Sequence, residues 1–303
     1  MDRLPLKVAI ATLGLRMQQV TVRVPASTSN LGPGFDCLGV ALGIYNRITV
    51  IGGRLPKQPH AEIISQAARR FFTRSRRRTF PFSVSIVDGI PQSRGLGGSA
   101  TIRLGILHAL NRMSGEPLDS LTIFQLCAEL EGHPDNAAPS TFGGFTVVAG
   151  SRQCGVCTFQ RFEVSPHLHF VLLVPELEIR TSMARKILPS RILHDAAVEN
   201  CGNACAITAA FASKHYEKLR GAFVDLIHQP FRKKLIPFLA SVIAAAEKAG
   251  ALGAFLSGSG SIICASTLQD PSRVAAAMKR AARSPSRTIV THADNRGVRV
   301  IRS

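Results

Sequence analysis

The stretch Pro91-Gln92-Ser93-Arg94-Gly95-Leu96-Gly97-Gly98-Ser99-Ala100-Thr101 carries three glycines within four positions. Glycine admits positive φ and has no Cβ to hold a ligand away, so several backbone N–H groups can converge on one anion. A phosphate is the natural guest. Downstream, Ile102, Ile106, Ala109, Leu110 and Met113 recur at three- and four-residue spacing before Gly115, which predicts a helix. The loop therefore opens onto a helix N-terminus, where unpaired N–H groups and the macrodipole favour negative charge. Upstream, residues 82–87 alternate apolar and polar, so strand, loop and helix follow in order. A tight turn is the plain alternative for any glycine-rich loop, and this context favours the phosphate site.

No Lys follows the last glycine, so this is not the G-x-x-x-x-G-K-[ST] loop. Residues 95–100 do fit the relaxed dinucleotide pattern G-x-G-x-x-A, which keeps an oxidoreductase open. That fingerprint expects a strand ending in an acid about twenty residues on, where 117–121 reads as a helix entry.

Working outward, 303 residues with 46% hydrophobic content suffice for a large core and suit two domains. No window approaches about eighteen apolar residues without a charge, so no membrane-spanning helix is expected. The apolar run 8–15 is followed by Arg16 and lacks a small-residue cleavage site, so it does not read as a secretory signal. Met17 opens a more regular pattern, and residues 1–16 are expected to be an extension or start-site artefact without function.

Seven cysteines, an odd number scattered over a long chain, point to reduced thiols in a cytoplasm. Cys154 and Cys157 with Cys201 and Cys205 can be drawn as a four-thiolate zinc site. The pairs lie far apart and the second is C-x₃-C, so a hairpin and a helix face are the preferred reading. The net charge of +18, from 37 basic and 19 acidic side chains, invites a nucleic-acid hypothesis. Its densest block, Arg69, Arg70, Arg74, Arg76, Arg77 and Arg78, has Phe71, Phe72 and Phe80 alongside to stack on bases. Excess charge is spread over the rest of the chain as well, and a solvated basic face is the preferred reading.

Residues 20–24 alternate like a half-buried strand, and 25–36 then read as a loop of hydroxyls, one amide and one carboxylate able to orient a small polar substrate. Residues 40–50 return as strand. A helix is predicted from Asp119-Ser120 through Leu130, ended by Gly132 and Pro134. Its end delivers Glu129, Glu131, His133, Asp135 and Asn136 on a turn, and Gly143-Gly144 lead from there into a strand at 145–148.

Residues 25–39, 91–101 and 253–260 resemble the three signatures of the GHMP superfamily of small-molecule kinases, which includes galactokinase, homoserine kinase, mevalonate kinase and phosphomevalonate kinase. The finer pattern of residues 24–36, of Glu131-Gly132-His133-Pro134-Asp135-Asn136 and of His228-Gln229-Pro230-Phe231-Arg232 is similar to the homoserine kinase branch. The resemblance implies an α+β fold of two domains. A ribosomal protein S5 domain 2-like domain would occupy 17–165, and a ferredoxin-like domain would occupy 166–303. Local patterns agree, with a strand at 169–174, an Ala-rich helix at 239–249 and a strand broken by a glycine turn at 253–265.

The resemblance further implies an ATP- and Mg²⁺-dependent transfer to the side-chain hydroxyl of L-homoserine, in threonine biosynthesis, by a cytoplasmic homodimer. Pro91, Arg94, Gly95, Leu96, Gly97, Gly98, Ser99, Ala100 and Thr101 would hold the triphosphate, with Ser99 and Glu131 as Mg²⁺ ligands. Arg185 and Arg232 would clamp the substrate carboxylate and Asp36 would face its ammonium. Asn30, His133, Asn136, Thr181 and Gly258 would complete the pocket. Asn136 stands where related kinases carry an Asp base, so no protein base is expected, and the hydroxyl proton would pass to the γ-phosphate or water. Gly98 replaces the serine usual in the family loop, which removes one hydroxyl near the phosphates. The alternatives are a kinase for another small alcohol and an S5-like RNA-binding protein. The latter would account for the charge but not for Asp36, Glu131 and Asp135 in loops, which repel a phosphate backbone.

Overall fold

Val20, Val22 and Val24 alternate along the first strand and bury on one face of a sheet, as their period of two requires. The computed structural model describes residues 18–302 apart from 55, 57 and 151–156, so the readings of residues 1–16 and of Cys154 lie outside the described residues. The first half of the chain runs β1 (Gln19–Asn30), β2 (Gly34–Gly52), α1 (Glu62–Ser75), β3 (Phe82–Val87), α2 (Gly98–Met113), α3 (Ser120–Glu131), α4 (Ala137–Phe142), β4 (Phe145–Gly150) and β5 (Cys157–Phe162). The second runs β6 (His169–Pro175), α5 (Thr181–Lys186), α6 (His194–Ser213), a 3₁₀ turn at Tyr216–Leu219, α7 (Gln229–Arg232), α8 (Leu239–Lys248), β7 (Gly253–Leu256), β8 (Ile263–Thr267), α9 (Pro271–Ala282), β9 (Ser286–His292) and β10 (Arg299–Arg302).

The strands form two sheets. One has the order β10-β1-β2-β4-β5 with β3 also on β2, and the other the order β7-β8-β6-β9. In the second, β6, β7, β8 and β9 take the positions of a ferredoxin-like sheet, with α8 and α9 against one face. The strand β6 reads as an unbroken apolar run because both its faces are covered. Phe170, Leu172 and Val174 meet the core shared with the first sheet, while Val171 and Leu173 meet α8 and α9. The first sheet is likewise double-faced, with α1 to α4 packed on the side that Val20, Val22 and Val24 present. Beyond a register shift at Pro25/Ala26, Ala26 joins the core between the two sheets instead.

Two expectations change here. Residues 25–30 are strand, not loop, and Ser27, Thr28 and Ser29 are wholly buried in β1. Their hydroxyls would be costly in an apolar core, but partners from distant elements satisfy them: Asn136 bonds Ser27 and Ser29, and Ser257 bonds Thr28. The dinucleotide reading also fails, because α2 leads to α3 without an intervening strand and every pairing of the first sheet is antiparallel among the described residues. The last strand, β10, leaves the second domain's segment and pairs with β1 of the first sheet.

Candidate active site

The glycine loop is tied to its surroundings through its carbonyls. Those of Ser93, Arg94 and Leu96 accept from the backbone N–H groups of Ile179, Ile262 and Ser27, and that of Gly95 accepts from Ser257 Oγ at 2.6 Å. Gly97 is the N-cap of α2 at φ 67, and a Cβ there would collide with Ser27 Oγ. The first helical bond runs from Thr101 N to Gly97 O, which leaves the N–H groups of Gly98, Ser99 and Ala100 free. No side chain caps this end of α2 and no acid stands in its first turn, so the donors are left for an anion.

The loop forms one wall of a cavity of about 290 Å³. Arg94, Gly95, Gly97, Gly98, Ser99, Glu131, Asn30, Asp36, His133, Asn136, Thr181, Arg185, Arg232 and Gly258 all line it. Pro91, Leu96, Ala100 and Thr101 do not. Leu96 and Ala100 are buried in the cores, and Thr101 Oγ1 bonds Gly98 O at 2.7 Å and accepts from Asn46 at 2.9 Å, so these residues offer a phosphate no side chain. Arg94 is spent on scaffold, donating to Pro175 O and Gln92 O and pairing with Glu178.

At the start of α2, Ser99 Oγ donates to Glu131 Oε2 at 2.7 Å, and Arg103, one turn further along the helix, pairs with Oε1. A hydroxyl and a carboxylate oxygen beside free helix N–H groups are hard oxygen donors of the kind Mg²⁺ takes when phosphates complete its shell, so the residues fit that ion. No cluster of three or more His, Cys, Asp or Glu side chains able to hold a metal occurs among the described residues.

Two guanidiniums with different partners also line the cavity. Arg185 meets Asp36 in a two-pronged pair, Nη1–Oδ2 3.0 Å and Nη2–Oδ1 2.6 Å. Burial works against its charge, but Asp36 outweighs it and raises the guanidinium pKa above its usual value. Arg232 is 2% exposed and donates only to neutral groups, Ala184 O, Gly258 O and His228 Nδ1. Burial and the neighbouring Arg185 charge lower its pKa to about 10, so it is still a cation at neutral pH. Phe35 lies between the two, its ring 5.5 Å from Arg185 Cζ and 5.3 Å from Arg232 Cζ. Of the two arginines expected to clamp a substrate carboxylate, Arg185 is matched to Asp36, whereas Arg232 has no carboxylate partner among the described residues.

Asn136, where no protein base is expected, lines the same cavity. Its Oδ1 accepts from Ser27 at 2.9 Å, and its Nδ2 hydrogens go to Ser29 at 3.0 Å and Asp135 at 3.2 Å, so the amide holds the floor of the site. Asn30 is similar, donating to Gly258 O and accepting from Asp36 N. Thr181 Oγ1 lies 3.3 Å from Ser259 Oγ. His133 Nδ1 is 2.7 Å from Asp135 Oδ1. Burial opposes both charges, yet each partner prevails over it, raising the His133 pKa and lowering that of Asp135.

Asp135, Arg103 and Ser29 are cavity or supporting residues that sequence reasoning did not select. A signal existed for Arg103, which stands four residues after Ser99 and so on the same helix face. Ser29 stands among the hydroxyls of 25–36, but its particular part depends on Asn136 from another element. The basic block is not a stacking platform: Phe71 and Phe72 are buried and Phe80 packs edge-on against Phe72. Arg69 and Arg70 pair with Glu62 and Glu129.

A family model for the GHMP kinases N terminal domain matches residues 62–144, and one for the GHMP kinases C terminal matches 207–284. A homoserine kinase of Moorella thermoacetica is 36% identical over 256 residues, spanning 80% of this chain and 86% of the relative. The chain belongs to the homoserine kinase family of the GHMP kinases. Another member, from Trichormus variabilis, is 36% identical over 282 residues and covers 88% of this chain and 92% of its own length. The crystal structure of homoserine kinase from Cytophaga hutchinsonii shares 26% identity with a TM-score of 0.84, covering 93% of this chain and 97% of that one. A mevalonate kinase structure at 15% identity and TM-score 0.68 shares the fold.

Proposed function

We propose that this chain transfers the γ-phosphoryl group of ATP to the side-chain hydroxyl of L-homoserine, giving O-phospho-L-homoserine on the route to threonine. The observation that carries the reading is Arg232, a buried cation lining the same cavity as the start of α2 and without a carboxylate partner among the described residues. A buried guanidinium without its anion is costly, and the carboxylate of an amino-acid substrate supplies one. The acids Asp36 and Asp135 offer the matching site for the ammonium. Homoserine kinase relatives along most of the chain support the same substrate.

Gly98, Ser99 and Ala100 would receive the phosphates at the helix terminus. Ser99 and Glu131 would hold Mg²⁺, which when bound neutralises charge on the phosphates. The His133 partner holds the Asp135 pKa below its ordinary value against burial, which makes that carboxylate a weak base, and the amide of Asn136 has no basic atom, so neither is the expected acceptor of the hydroxyl proton. The chain's contribution is alignment and electrostatics, with the proton passing to phosphate or solvent, as a loose transition state allows. Cytoplasmic residence is part of this proposal, supported by free thiols at Cys37, Cys127, Cys201, Cys205 and Cys264. No helix among the described residues is long and apolar enough to cross a membrane. A homodimer is proposed from family resemblance alone and is tested by sedimentation.

The deciding experiment compares ATP consumption with homoserine, serine, threonine, mevalonate and galactose. Homoserine should give the highest kcat/KM; a preference for mevalonate or galactose, which lack the ammonium, overturns the assignment.

A further inference from the structure

Residues 225–232 form a tight turn into α7, and one carboxylate organises it. Asp225 Oδ1 accepts from Ile227 N at 3.0 Å, while its Oδ2 accepts from His228 N at 3.1 Å and Gln229 N at 2.6 Å. This fixes His228, whose side chain is fully buried. Its Nε2 lies 2.8 Å from the carbonyl oxygen of Gly32 and 3.4 Å from Asp225 Oδ2, both acceptors, and its Nδ1 lies 3.3 Å from Arg232 Nη1. A carbonyl can only accept and a guanidinium can only donate. One state of the ring satisfies both, the neutral imidazole with its proton on Nε2. The other tautomer would set lone pair against carbonyl and N–H against N–H, and the imidazolium would put N–H against N–H beside Arg232.

The two partners belong to the two sides of the substrate end. Gly32 sits in the turn between β1 and β2, whose flanks carry Asn30 and Asp36. That turn has no slack: Gly32 has φ +76, a Cβ on it would collide with Phe223 O, and Asn200 Nδ2 holds the next carbonyl, Pro33 O, at 2.7 Å. Arg232 is the guanidinium left for the substrate anion. We infer that His228 is a positioning residue for Arg232: its neutral ring couples the β1–β2 turn to the guanidinium, so that the ammonium and carboxylate ends of the substrate pocket keep one spacing. The inference rests on the reading of Arg232 as the carboxylate-binding group. Burial, reinforced by the Arg232 charge, lowers the imidazole pKa to about 4 against the opposing pull of Asp225 and Asp36, in keeping with a neutral ring. The ring of Phe35 at 5.2 Å closes the remaining side.

Two substitutions separate the two bonds. His228→Asn places an amide oxygen near the position of Nδ1, keeping an acceptor for Arg232 while losing Gly32. His228→Gln reaches Gly32 with its amide N–H and leaves Arg232 Nη1 without its acceptor. With wild type first shown to turn over homoserine, His228→Gln should raise the homoserine KM about tenfold or more with ATP KM within about twofold, and His228→Asn should raise it no more than about threefold. In an Arg232→Lys background, His228→Gln should add less than about twofold, since its effect passes through Arg232. Unchanged homoserine KM in both single variants with lowered melting temperature, or independent multiplication with Arg232→Lys, would make His228 a structural residue and overturn the proposal. Imidazole ¹⁵N–¹H correlation spectra of the wild-type protein at neutral pH test the same claim without any variant. They should show the Nε2–H tautomer, and an Nδ1–H form or an imidazolium overturns it. Absence of homoserine turnover in wild type would remove the substrate assignment, while the spectra would still decide the state of the ring.

Discussion

Glu131 serves two neighbours with one carboxylate: one oxygen accepts from Ser99 and the other pairs with Arg103. Replacing it with Gln keeps the size and removes the charge, so activity should fall by about 100-fold or more and the Mg²⁺ concentration for half-maximal rate should rise. Arg103, only 13% exposed at its side chain, loses its counter-charge in the same variant, so the melting temperature should drop as well. A Mg²⁺ titration of initial rates, set beside a thermal melt, checks both; unaltered Mg²⁺ dependence places the ion elsewhere. Gly98 offers the reverse experiment. A Cβ at this position meets nothing within 4 Å, so Gly98→Ser enters the cavity without displacing a neighbour. One new hydrogen bond to a charged phosphate is worth about 1.5–3 kcal/mol, so the ATP KM should fall by about tenfold or more. An ATP KM that rises in this variant would show that the open space at Gly98 is occupied by the nucleotide itself.

At the level of elements, the loop before α2 is held by contacts to β1 and to the 257–262 segment, not by its own turn chemistry alone. With Gly97→Val, a branched Cβ stands where phosphate oxygens would approach. In the structure the substitution also meets a positive φ and drives into Ser27 and Asn136, whose hydrogen bond closes the floor of the site. Calorimetry should therefore find no ATP binding, and the melting temperature should fall rather than stay constant. The C-terminal end of α1 behaves differently. Arg74 and Arg76, without a carboxylate partner among the described residues, line a cleft that shares no residue with the cavity, and they suit a helix C-terminus, where cations are favourable. Changing Arg74, Arg76, Arg77 and Arg78 together to Gln should leave homoserine phosphorylation within a few-fold in steady-state assays. A collapse of activity would tie this surface to catalysis.

For the whole molecule, helices cover the outer faces of both sheets and the inner faces meet in one shared core, so the cavity lies where the loops of the two domains converge. The C-terminal strand reinforces this by pairing with β1 at the edge of the first sheet. Deleting residues 299–303 should uncover the β1 edge, lower the melting temperature by several degrees and promote association visible by light scattering, with homoserine KM little changed. An unshifted melt would show that β10 contributes nothing to the domain. Much of this architecture was legible in the chain. The alternation at 82–87, the helical spacing after Gly98, the Asp119 cap and the apolar run at 169–174 are local signals, because backbone period and capping depend on near neighbours in sequence. Motif order likewise pointed to the kinase family. Other features had no local signal. Ser27, Thr28 and Ser29 read as turn residues, yet they are strand because Asn136 and Ser257 bring the partners that let hydroxyls be buried. Arg185 and Arg232 look alike in sequence, and only folding gives Asp36 to one and leaves the other unpaired, since a charge's partner is chosen by proximity in space rather than along the chain. The same holds for β10, whose pairing across nearly the full length of the chain is set by the free edge of β1 and not by its own four residues.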